Sequence, residues 1–299
     1  MALVSAVLDS LLGIMLFFIA VSIGLGSIVG SVYVNIAVSP QAGSMLGNSV
    51  ARTVIFHISN GSTIVPSDEL MSLADSSPLP CSFQSLRSQL GLGNLTFRVD
   101  VMPPLNVAVN VTGSGPVVDV TKTGHTDPVQ AFLQLYVVDV SAQSVAEYPG
   151  ESSVDGSGFF SVTLTNTQVG VVLAKAGSAV GYATFTPQGI PLSQGGINLN
   201  ADGLHGGNQT SVYILSFEDW TGPVPAGGNV NVSAYSLPVV LLYEGSGGAV
   251  NYSTYPWFGG CGPTPVQVVG SYVSDQTFLI RTVGGSVLLR IRTWGPGGA

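Results

Sequence analysis

Three histidines, His57, His125 and His205, are the only imidazoles available for acid–base or metal chemistry, and they stand far apart. None falls in a metal spacing such as HExxH. His125 alone has a near acid, Asp127, and the two precede Pro128 in what reads as a solvated loop. Glu218-Asp219-Trp220 sets two carboxylates beside an aromatic, the ingredients of a glycosidase or a calcium site. Adjacent residues of an extended chain point to opposite faces, so a surface loop is the expectation there. Tyr252, Tyr255, Trp257 and Phe258 cluster around Pro256. Exposed, they form a sugar- or partner-binding platform; buried, a loop folded onto the core, and buried packing is favoured. No G-x-S-x-G elbow, P-loop, dinucleotide G-x-G-x-x-G or CxxC occurs, nor an EF-hand-like acidic run. The chain is therefore expected to be non-enzymatic and to use no cofactor or metal.

Two further sets of residues carry covalent chemistry. Cys81 and Cys261 pair in an oxidising compartment or remain two buried thiols. Six N-x-S/T sequons begin at Asn60, Asn94, Asn110, Asn208, Asn231 and Asn251. That is more than a Ser- and Thr-rich chain is expected to give by accident, and it tilts the reading towards a glycosylated exterior protein.

Composition narrows the class. Only 8% of the 299 residues are charged, against about 25% in ordinary globular domains. The net charge is −8 and no basic patch is present, which argues against nucleic-acid binding. Mean hydropathy is +0.47. A surface of Ser, Thr, Asn and Gly rather than Lys and Glu suits an extracellular, packed or polymeric setting.

The elements that would position these residues begin with the apolar stretch Ala2 to Val38, whose one charge is Asp9. About twenty apolar residues cross a bilayer as a helix, so residues 1–40 are expected to form one long hydrophobic assembly or transmembrane helix ending before Pro40. Ser22, Gly26 and Gly30 recur at four-residue spacing, which lets helix backbones approach closely in an apolar medium. They are the candidate contacts with further copies of the chain. Asp9 is either an acid in the membrane interface or a buried acid facing a neighbouring subunit's terminal amine. The run is too long for a signal-peptide core and no Lys or Arg precedes it.

Beyond it, residues 41–51 read as a polar hinge and 52–150 as a β-rich unit. That unit opens with a strand over Arg52 to Ser59, has short helices after Ser67 and around Phe83, Leu86 and Leu90, and continues with strands over 97–101, 107–111, 117–121 and 132–140. Residues 151–299 read as a β-sandwich, with strands expected over 159–165, 180–185, 212–217, 230–235, 239–243, 266–273, 278–283 and 287–294. Gly284-Gly285 suits a two-residue hairpin turn. A single larger β domain is the alternative to two units. The expected fold is mainly β, with a long N-terminal hydrophobic α-helix followed by an immunoglobulin-like β-sandwich head.

A long apolar N-terminal run almost free of charge, followed by a Ser/Thr/Gly-rich β region with sequons, resembles the archaeal type IV pilin-like filament subunits, a group that includes archaellins. The resemblance lies in Ala2 to Val38 and in the architecture behind it. It implies helices bundled in a filament core, immunoglobulin-like domains outside, and a structural role in adhesion or motility. Its partners would be further copies of the chain, the membrane before assembly, and surface glycans. The family's basic leader is not visible, and Asp9 matches the acid at the fifth position of mature bacterial pilins only if cleavage precedes Ser5. Two other expectations stand beside it: a membrane-anchored surface or viral envelope glycoprotein, and an anchored enzyme or sugar-binding protein using Glu218–Trp220 or Tyr252–Phe258.

Overall fold

The computed structural model describes residues 40–60, 62–65, 70, 87–88, 96–150, 155–195, 198–200, 203–205, 211–217, 219–225, 228–230, 235–245, 248–262 and 272–294. Two compact units are present, residues 1–45 and 46–299. The first is described only from Pro40, so Asp9, Ser22, Gly26, Gly30 and the helix expected over 1–40 lie outside the described residues.

The first described element is a helix, α1 (Pro40–Ser59). Pro40, read above as a stop, is its first residue. Proline suits that position because the N–H it lacks would have no partner there and its φ is preset for the helix. From Gly47 onward a 3.6-residue period decides the conformation: Gly47, Val50, Ala51, Val54 and Ile58 are buried, while Asn48, Ser49, Arg52, Phe56 and His57 face water. The expected hinge over 41–51 and the expected strand Arg52–Ser59 are both corrected to helix. Asn60, at φ 46°, ends it; its N–H donates to the Phe56 carbonyl at 2.9 Å.

In chain order the strands are β1 (Thr96–Met102), β2 (Leu105–Thr112), β3 (Gly115–Lys122), β4 (Phe132–Asp139), β5 (Ser144–Gly150), β6 (Ser157–Phe159), β7 (Gln168–Ala176), β8 (Ala179–Phe185) and β9 (Ser193–Gln194). They continue with β10 (Asn198–Asn200), β11 (Gly203–His205), β12 (Val212–Ser216), β13 (Asp219–Val224), β14 (Val239–Glu244), β15 (Val250–Tyr255), β16 (Gly259–Cys261), β17 (Tyr272–Thr282) and β18 (Gly285–Trp294). Sheet A runs β16-β1-β18-β8-β7-β4-β5, with β17 on the other side of β18. Sheet B is β2-β3-β6, sheet C is β13-β12-β14-β15-β9, and β10 pairs β11. The strands on either side of residue 150 interleave: β3 pairs β6, β4 pairs β7 and β1 pairs β18. The expected division into 52–150 and 151–299 therefore does not separate the sheets.

The β part is also not a two-layer sandwich. Leu133, Leu135, Val137, Val172 and Ala174 of β4 and β7 pack with Leu105, Val118 and Val120 of sheet B. The alternate residues Tyr136, Val138, Val169, Val171 and Leu173 pack with Tyr213, Leu215, Val240 and Leu242 of sheet C. The β4–β7 region of sheet A is thus a central layer covered on both faces. The far face of sheet C packs Val212, Ile214, Val239 and Leu241 with Leu204, Val230, Leu237 and Trp257. The expected immunoglobulin-like sandwich is corrected accordingly, and among the described residues the expected long apolar helix is not found. The described helix is amphipathic and follows the apolar stretch, and no described helix is long and apolar enough to cross a membrane.

Several strand boundaries also shift. Of the strand expected over 159–165 only Phe159, the last residue of β6, is in a strand, while β5, β7, β9, β10, β11, β13, β15 and β16 were not foreseen. The short helices expected after Ser67 and around Phe83, Leu86 and Leu90 and the strands expected over 230–235 and 266–273 lie mostly outside the described residues. The C-terminal hairpin turns on Val283 and Gly284 rather than on Gly284-Gly285. Thr282 pairs with Gly285, and Gly284 takes φ 83°, which a side chain disfavours.

Candidate functional site

The most heavily constructed part of the described molecule is the seat of α1. Val50, Ala51, Val54 and Ile58 pack on Phe97, Val99 and Val101 of β1 and on Val287, Leu289 and Ile291 of β18, with Phe258 and Cys261 completing the cluster. Gly47 lies so close to Ser274 that a Cβ there would collide with it. One residue further on, Gln276 Nε2 donates to Asn48 Oδ1 at 2.7 Å. Cys261 is wholly buried in this cluster and disulfide-bonded. The sequence offers it one partner, Cys81, which lies outside the described residues.

The opposite face of the same strands carries charge. Arg98 Nε donates to Asp100 Oδ1 at 2.6 Å and Arg98 Nη1 to the Gly262 carbonyl at 2.9 Å. Arg292 Nη2 reaches Asp100 Oδ2 at 2.5 Å, and Arg290 Nε donates to Asp275 Oδ1 at 2.9 Å. Three of the chain's eight basic residues therefore bind β16, β1, β18 and β17 together. Half-buried ion pairs gain more from low dielectric than exposed ones, and Asp100 serves two arginines at once. The sequence held the signal, since Arg98, Asp100, Arg290 and Arg292 all sit at alternate positions of strands, but not the pairing that joins them.

A second polar cluster ties the central layer to sheet C. Gln134 Nε2 donates to Tyr136 Oη at 2.8 Å and to Glu147 Oε1 at 2.7 Å. Tyr136 Oη donates to the Ser216 carbonyl at 2.7 Å. Beside it, Lys175 Nζ lies 5.7 Å from the centre of the Phe217 ring, and Phe132 and Phe217 are 6.2 Å apart. At the other end of β4, Asp139 accepts from Thr167 Oγ1 at 2.7 Å and from the Ala142 N–H at 2.9 Å. The Thr167 hydroxyl, followed by the Ala142 N–H, holds its carboxyl below the usual value. Burial, with Asp139's charge behind it, pushes the Tyr213 phenol up.

The remaining sequence candidates resolve as follows. Tyr255, Trp257 and Phe258 are buried, and Phe258 stacks on Tyr182 at 5.6 Å while Tyr252 meets Tyr182 edge-on at 5.8 Å. That cluster is packing between sheets, as favoured. Burial, then Tyr252, pushes the Tyr182 phenol well up. Asp219 and Trp220 open β13 instead of lying in a loop and are both exposed; Glu218 lies outside the described residues. His57 and His125 are exposed, and His205 lies on β11. Among the described residues no group of three His, Cys, Asp or Glu could hold a metal ion.

Of the sequons, Asn94, Asn208 and Asn231 lie outside the described residues. Asn60 and Asn110 are exposed, whereas Asn251 is half-buried on β15 and Ser253 of its sequon is wholly buried. Comparison of the chain with protein-family models, with characterised proteins and with solved structures gives no match.

Proposed function

We propose that this chain is a non-catalytic structural subunit of an extracellular filament, in which the apolar stretch at 2–38 supplies cohesion between copies and the β body forms the outside. The observation that carries this reading is the seat of α1. The helix follows the apolar stretch directly in sequence and is fixed to β1 and β18 by a row of buried side chains, next to the buried disulfide of Cys261. A disulfide and exposed sequons belong to exterior proteins. A surface poor in charge but rich in backbone pairing suits close subunit contact.

The test is to delete Ala2–Val38 and examine the product by electron microscopy. The truncated chain should fold and stay monomeric, and filaments formed without the apolar stretch would refute the mechanism. Release of the full chain from native membranes by mild detergent as single copies would instead support a membrane-anchored surface glycoprotein.

A further inference from the structure

The outer face of sheet B holds an arrangement that the filament reading does not use. Across β2, β3 and β6 the register forms three rows: Asn106 with Thr121; Ala108 with Asp119 and Ser157; and Asn110 with Val117 and Phe159. These positions alternate with the inward Val107, Val109, Val118 and Val120, so all three rows share the solvent face. The first two rows close on themselves. Asn106 Nδ2 donates to Thr121 Oγ1 at 3.4 Å, and Ser157 Oγ donates to Asp119 Oδ1.

The third row is different. It has an exposed sequon asparagine at one end and, at the other, a phenylalanine that is 51% exposed. Neighbouring strands lie about 4.8 Å apart, so Asn110 and Phe159 are separated by about 10 Å with only Val117 between them. A phenylalanine ring half exposed on this mainly polar face loses part of the free energy its full burial would give.

The pairing recurs elsewhere. The other exposed sequon described, at Asn60, lies just past the end of α1, four residues after Phe56, which is 69% exposed and whose carbonyl accepts from the Asn60 N–H at 2.9 Å. The half-buried Asn251, by contrast, has a wholly buried Ser253 as its hydroxyl residue.

We propose that Asn110 carries an N-linked saccharide whose first sugars lie across Val117 and stack their C–H faces on Phe159, and that Phe56 plays the same part for Asn60. This rests on the exterior placement argued above but not on assembly. In the transfer, Asn110 Nδ2 forms a bond to the anomeric carbon of a saccharide carried on a polyprenyl phosphate. The bond from that carbon to the phosphate oxygen breaks, the phosphate leaves with the electron pair, and the amide proton passes to a base of the transferase. No oxidation or reduction occurs.

The experiment uses protein purified from its native cells. Its peptides are mapped by mass spectrometry, and Phe159 is probed by hydroxyl-radical footprinting before and after enzymatic removal of the glycan, with Asn110→Gln as a second comparison. The Asn110 peptide should carry a saccharide mass, and Phe159 should be labelled several-fold more once the glycan is absent by either route. Unmodified Asn110, or a modified Asn110 with unchanged labelling of Phe159, overturns the proposal. Filaments with bare Asn110 would sink this inference and leave the filament reading standing. Glycosylated single copies released by detergent would do the reverse.

Discussion

β2 and β4 are both eight-residue strands, and the molecule uses them in opposite ways. β2 turns every second side chain towards the central layer, buried at Leu105 and half-buried beyond it, and gives the others to water. β4 lies between sheets B and C, and all of its residues after Phe132 are buried. The outer strand needs only alternation. The inner one needs apolar residues on both faces and a partner for each polar atom it takes inside, which is what Gln134 and Tyr136 find in Glu147 and the Ser216 carbonyl. Structural uniqueness is concentrated in the central layer, and tolerance of substitution in the outer one.

The sharpest way to break that contrast is to truncate a side chain in each layer. Leu135→Ala, at a fully buried position, should cost about 2–5 kcal/mol in urea unfolding, and Val109→Ala, half-buried on β2, about 1 kcal/mol. Equal losses would erase the distinction between the layers. Next in size is the disulfide. Cys261→Ser, or reduction of the wild type, should lower stability by about 2–4 kcal/mol and should loosen α1 and β16 first, seen as faster amide exchange there than in β4 and β7. Smaller again is Tyr136→Phe, which removes the hydroxyl joining the central layer to sheet C and should cost about 1–2 kcal/mol. Thr121→Ala on the outer face of sheet B should stay within about 0.5 kcal/mol.

The smallest effect is one of pH. Asp139's carboxyl is held below its ordinary 3.8, so its contribution is fully present above that value and is lost as pH falls through the lower folded-state value. Asp139→Asn should therefore flatten the acid limb of the stability curve and leave the neutral region parallel to wild type. An unchanged acid limb would show that the Asp139 carboxyl titrates alike in the folded and unfolded chain.

The same contrast explains what was legible in the sequence. Alternation in Phe97–Val101 and Val107–Val111 exposed β1 and β2 at once, because one face of each is polar. β7 went unseen. Val169-Gly170-Val171-Val172-Leu173-Ala174 is apolar on both faces and shows no period of two, and its glycine looks like a breaker until the Phe185 ring is found filling the space beside it. α1 was lost for a different reason. Arg52-Thr53-Val54-Ile55-Phe56-His57 is rich in β-branched and aromatic residues, and only the packing of Val50, Val54 and Ile58 on sheet A overrides that local preference. The sequons were visible as motifs, but their accessibility depends on register and burial, which a tripeptide does not encode.

β18 sits between β1 on one side and β17 on the other and touches β8 at Ser286. Its Arg292 grips Asp100 from 192 residues away. A strand so distant in sequence, and so central to the sheet, sets a clock: β1 waits for its partner until the 192 residues between Asp100 and Arg292 have been spanned, and such non-local closure is slow. A chain made amino end first therefore keeps this edge of β1 open until β18 has been made.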